Sequence, residues 1–199
     1  MTSAREEILG RIRTALDDRP RPPIIPREYR RAGSTDADDA LFVERVADYR
    51  AGVHPVIDSI TDTIASVLRE RGIERIVVPD GFPAEWLPYV EVVREPVDVP
   101  MLDEVSAVMT TCRVAIAETG TIVLDAGPGM GSRALTLVPD YHLVVVRTDQ
   151  IVAGVPDALA VLDPTRPLTW ISGPSATSDI ELERVEGVHG PRTLDVVLT

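Results

Sequence analysis

The residues best suited to chemistry in this 199-residue chain gather in two segments. The first runs from Ser172 to Glu181 as Ser-Gly-Pro-Ser-Ala-Thr-Ser-Asp-Ile-Glu and is followed by Gly187-Val-His-Gly-Pro-Arg192. It places small, hydroxyl and charged residues where a core needs none. Ser172, Ser175, Thr177, Ser178 and Asp179 surround Gly173 and Pro174, all able to donate or accept in a turn. If a helix begins there, its amides and dipole favour a substrate carboxylate or phosphate. The plainer alternative is an N-cap, Thr177 or Asp179 starting a helix through Glu183; five such residues exceed what one cap requires. His189, between glycines that include Gly190, can move a proton near neutral pH, and Arg192 can orient an anion beside it.

The second segment, Ala117-Glu-Thr-Gly-Thr-Ile-Val-Leu124, interrupts an apolar run with Glu118, Thr119, Gly120 and Thr121. Crevices in open α/β sheets lie outside strand C-termini. Glu118 at a strand end is therefore placed to act as acid, base or nucleophile if apolar surroundings raise its pKa. Glu118-Thr-Gly120 is similar to the local pattern around the nucleophilic glutamate of CoA transferases; a turn cap or an arginine-paired carboxylate is the equal alternative. Gly127-Pro-Gly-Met-Gly-Ser-Arg133 resembles a phosphate-cradling loop, but the glycine spacing fails the dinucleotide pattern, and a surface turn is the favoured reading. Arg133 stands apart, since its guanidinium can clamp a carboxylate or phosphate.

Composition removes several chemistries. All twenty basic residues are arginine. Without lysine there is no Schiff base, no P-loop lysine and no attachment for pyridoxal phosphate. A net charge of −12 disfavours nucleic acid. His54, before a proline, and His142, opening an apolar strand, read as structural. Three scattered histidines give no metal-ligand spacing, so no tightly bound metal is expected. The single cysteine, Cys112, reads as a packing residue, and a cubane iron–sulfur cluster normally takes four thiolates. The sequence has no run of about 20 apolar residues suited to spanning a membrane. With no secretory segment, a soluble, cytoplasmic protein is expected.

These groups must be held by an α/β domain. Ser3 to Leu16 is predicted as an amphipathic helix opened by a Ser3/Glu6 capping box, and Arg19 to Ser34, rich in arginine and proline, as an extended arm. The division falls at residues 1–35, arm, and 36–199, globular domain. Asp36 to Arg71 is predicted as two helices broken near Gly52 and Pro55. Short β-branched runs follow: 76–79, 89–93, 107–110, 114–117, 121–124, 143–147, 168–172 and 194–198. Helices fit at 101–105 and 151–162. The alternation predicts a Rossmann-like, mostly parallel sheet with flanking helices, and the short passage from Glu118 to Thr121 demands an antiparallel pair.

In chain order, Glu118-Thr-Gly-Thr121, Arg133 with Leu-Thr-Leu-Val-Pro139, Asp149-Gln-Ile-Val152, the Ser172–Glu181 segment and Gly187–Arg192 resemble the lactate utilization protein C family, which carries the LUD domain. The likeness covers residues 103–199. It implies a sheet similar to that of sugar-phosphate isomerases and CoA transferases. It further implies a part in oxidising L-lactate to pyruvate, with iron–sulfur clusters on partner subunits and none on this chain. Two alternatives stay open: a free-standing enzyme on a phosphorylated or CoA-linked metabolite, and a non-catalytic ligand-binding subunit. Oligomerisation is also left open.

Overall fold

The computed structural model describes residues 3–17, 23–177, 185–187 and 189–199. Two compact units emerge, Met1–Arg30 and Arg31–Thr199. The first holds helix α1 (Ala4–Ala15), opened by the expected capping box: Glu6 N–H donates to Ser3 Oγ and Ser3 N–H to Glu6 Oε2. The apolar side chains Ile8, Ile12 and Leu16 are exposed.

The second unit is built on a six-stranded, all-parallel sheet with a four-stranded mixed sheet beside it. The larger sheet takes the order β1 (Gly52–Pro55), β12 (Thr193–Leu198), β7 (Tyr141–Val146), β4 (Ala107–Thr110), β2 (Arg75–Val78) and β3 (Glu91–Arg94). Central strands of a parallel sheet are covered on both faces and so read as continuous apolar runs. Each of the six residues of Tyr141-His-Leu-Val-Val-Val146 is buried. On one face, Ile64, Val67 and Leu68 of α3 (Ile60–Glu70) pack on Ile76, Met109, Leu143 and Val197.

The opposite face meets the smaller sheet, whose order is β8 (Ile151–Val152), β5 (Val114–Ile116), β6 (Thr121–Leu124) and β9 (Thr169–Ile171). Between the sheets, Val144, Leu194 and Val196 close against Ala115, Ile122 and Leu124, with Phe42 and Val46 of α2 (Asp39–Asp48). Helix α4 (Val99–Asp103) covers Val77 and Val108, and α5 (Val155–Val161) covers the far side of the smaller sheet through Ala158. The antiparallel pair expected across Glu118–Thr121 is β5 with β6, in the register Ile116 to Thr121.

Two expectations need correction. The predicted break at Gly52 and Pro55 is itself a strand, and Val53, assigned to a helix by spacing, pairs with Val196 at the sheet edge. The helix predicted from 151 begins later, because Ile151–Val152 first pairs with β5. After Ser172, β10 (Ala176–Thr177) pairs with β11 (Val185–Glu186), and the helix expected through Glu183 lies outside the described residues.

Candidate functional site

In this strand order β2 lies between β3 and β4, so the chain leaves β2 in one direction and returns on its other side. Such a reversal point is where open α/β sheets usually bind ligands, beyond the strand C-termini. Here the glycine-rich loop fills it. Gly129 N–H donates to Asp80 O after β2, and Thr111 N–H, after β4, donates to Gly129 O. The other amides are also committed: Gly127 to Asp125 Oδ1, Met130 and Gly131 to Gly127 O, and Ser132 to Glu95 Oε1. N–H groups already donated within the protein are not available to cradle a phosphate. The phosphate-loop resemblance fails, and the favoured surface turn is instead a plug with Gly127, Gly129 and Met130 buried.

The sequence-selected residues gather elsewhere, at a cavity of about 220 Å3 against the face that meets the smaller sheet. Arg133, Ser172, Gly173, Ser175, His189 and Gly190 all line it. Arg133 opens a 3-10 turn (Arg133–Thr136) that folds its guanidinium back: Nη1 donates to Thr136 O (2.8 Å) and Oγ1 (3.1 Å), and Nη2 to His189 O (2.9 Å). The cation is thereby fixed, and among the described residues no carboxylate is paired with it. Ser175 clamps the same segment, accepting from His189 N–H at its hydroxyl and donating its own N–H to Pro191 O. The His189 side chain is exposed.

Ser172, at the end of β9, joins the cavity to the β5–β6 turn by a hydroxyl chain. Ser172 Oγ lies 2.9 Å from Thr121 Oγ1, which lies 2.7 Å from Thr119 Oγ1. Hydroxyls in series can pass a proton or orient one another. Gly120 makes the turn at φ 58°, and a Cβ there would stand 2.7 Å from the Arg45 carbonyl carbon.

Other candidates stand apart. Glu118 is exposed, sits in the smaller mixed sheet's hairpin and is not among the lining residues. Arg192 pairs with Asp140 at 3.2 Å, away from the cavity. Thr177 falls in β10, and Asp179 lies outside the described residues. Among the described residues no three His, Cys, Asp or Glu side chains converge as metal ligands.

Sequence reasoning missed His142, Thr136, Trp170 and Leu194, which also line the cavity. His142 is 1% exposed and its Nε2 lies 2.8 Å from Thr110 Oγ1. Burial, then the nearby Arg133 charge, pushes its pKa down to about 3. It is a neutral imidazole at physiological pH. The signal was the pair Tyr141-His142 ahead of Leu-Val-Val-Val: the strand begins two residues earlier than the apolar run.

A second polar cluster lies on the α3 face. Asp195, fully buried, accepts from Arg71 Nε and Nη2 (2.9 and 3.1 Å), His54 Nε2 (3.1 Å) and Tyr141 OH (2.9 Å). Burial alone would raise its pKa, but these donors outweigh it and the net shift is downward. Cys112 packs between the sheets, its thiol pushed up to about 12 by burial, which makes it a poor nucleophile.

Residues 101–199, which supply the smaller sheet, three strands of the parallel sheet and most of the cavity wall, match the LUD domain family. A lactate utilization protein C from Deinococcus radiodurans is 48% identical over 79% of this chain and 77% of its own length. The chain belongs to the lactate utilization protein C family. A member from Bacillus subtilis is 28% identical over 61% of this chain and 54% of its own length. A crystal structure of a DUF162 family protein from Deinococcus radiodurans superposes with a TM-score of 0.67 at 42% identity, over 80% of this chain and 94% of that one.

Proposed function

We propose that this chain is the small-carboxylate-binding subunit of a lactate-utilisation system, acting with partner subunits that carry iron–sulfur clusters. The observation that carries the reading is the convergence of Arg133, Ser172, Ser175 and His189 from separate segments on one cavity. A fixed guanidinium suits a carboxylate, and the surrounding hydroxyls suit its polar neighbours. Oxidation of L-lactate yields pyruvate, two protons and two electrons. Hydroxyls and imidazoles can handle the protons, but electrons need a redox centre. One cysteine cannot supply the four thiolates of a cluster, so in this reading an iron–sulfur electron acceptor sits on a partner.

A cavity of about 220 Å3 is below the ~300–1,000 Å3 that drug-sized ligands occupy, which favours a short metabolite over a CoA thioester. Growth on L-lactate as sole carbon source tests the reading. A deletion strain should fail to grow, and the wild-type gene should rescue it. Arg133→Gln should fail to rescue despite normal expression. Growth of the deletion strain at the wild-type rate, with no second lactate dehydrogenase present, sinks the proposal.

A further inference from the structure

A histidine is an unexpected occupant for the middle of a parallel sheet. In the cross-strand row His142 stands between Val108 of β4 and Leu194 of β12, both apolar. An imidazole there loses its water and must be repaid in hydrogen bonds. Thr110 satisfies Nε2, but among the described residues the ring makes no second hydrogen bond. The side chain nevertheless lines the cavity that Arg133 enters. With Nε2 taken by Thr110, Nδ1 is the ring nitrogen on offer to whatever fills that cavity.

We infer that His142 is the specificity-determining group of this site, hydrogen-bonding through Nδ1 to the oxygen on C2 of a short 2-hydroxy or 2-oxo acid whose carboxylate is held by Arg133. The inference rests on the small-carboxylate reading above and adds to it the residue that reads the neighbouring carbon. His142 is suited to the task because it stays neutral: burial and the Arg133 charge keep it from protonating in the physiological range. A neutral imidazole offers one donor and one acceptor, and the Thr110 hydroxyl can rotate to match either tautomer. With Nδ1 as donor the ring meets a keto oxygen; with Nδ1 as acceptor it meets a hydroxyl. His189, exposed and held by its backbone, is not required for this recognition.

The test uses the full wild-type chain labelled with 15N-histidine, so no substitution enters the buried strand. Its three histidine signals are assigned through His54→Gln and His189→Gln. L-lactate, pyruvate and propionate are titrated in, the last being the same acid without the C2 oxygen, and affinities are read by calorimetry. The expected result is binding of lactate or pyruvate about tenfold tighter than propionate, the worth of one hydrogen bond to a buried group. The His142 Nδ1 resonance should move with the substituted acids alone. Arg133→Gln should weaken all three. Equal affinities for the three acids, or a preference that leaves the His142 nitrogens unmoved, overturns the inference while the carboxylate reading stands. No binding of any acid at millimolar concentration overturns both.

Discussion

At the scale of single residues, charge states decide most of what this protein can do. His142 titrates near 6.5 when unfolded and near 3 when folded, so the unfolded chain takes up the proton first. Stability is therefore complete above about pH 6.5 and falls as pH drops toward 3, by at most about 1.4 kcal/mol per pH unit. Chemical denaturation between pH 7 and 4 should show this slope, and a folded His142→Asn variant should show a flatter one. Asp195, depressed in the folded state, adds its own loss only below the ordinary aspartate range. The Cys112 thiol should resist iodoacetamide at pH 8 in the native protein and react promptly in denaturant; equal rates would contradict its burial. Which of these residues matter was only partly legible beforehand. The hydroxyls and glycines of 172–192 declared themselves by type, since a core has no use for them. His142 did not, because its role depends on Arg133 and on strands that the chain supplies in separate passes.

At the scale of elements, the edge strand Gly52–Pro55 is the instructive case. Four residues with a glycine and a proline look like a helix break, and nothing nearby marks them as a strand. Their identity comes from β12, far along the chain, whose Asp195 draws in His54 and needs Gly52 to lack a side chain: a Cβ there would overlap Asp195 Oδ1. Gly52→Ala should cost about 1–3 kcal/mol as an overpacked site, measured by thermal or urea unfolding. Asp195→Ala should cost about 3 kcal/mol, the low end for breaking a buried ion pair because Arg71 is half exposed. A loss smaller for Asp195→Ala than for Gly52→Ala would mean the network contributes little. The β5–β6 pairing, by contrast, was legible in advance, since the three residues between the predicted runs 114–117 and 121–124 permit only a tight antiparallel return. The glycine-rich loop was legible as a turn, but where its amides point is set by Asp80 and Thr111, which no local pattern reveals.

At the scale of the whole molecule, the fold follows from alternating apolar runs, while the split into two sheets does not. Strands β5, β6, β8 and β9 carry the same composition as those of the parallel sheet; only their pairing separates them. No helix among the described residues is long and apolar enough to cross a membrane. The proposed site belongs to neither sheet alone. Its walls are His142 and Leu194 on one side and Thr169 to Ser172 on the other, and Leu194 also belongs to the apolar layer that sets the distance between them. That layer works as the jaw spacing of a caliper. Ile122→Ala, a change buried out of reach of any ligand, should lower stability by about 2–5 kcal/mol. It should also alter the affinity for a small acid, as the jaws close on the missing volume. Unchanged affinity in a folded variant would show the jaws to be held by the loops instead. Selection on the grip of this site can therefore act through aliphatic residues that never touch what it holds.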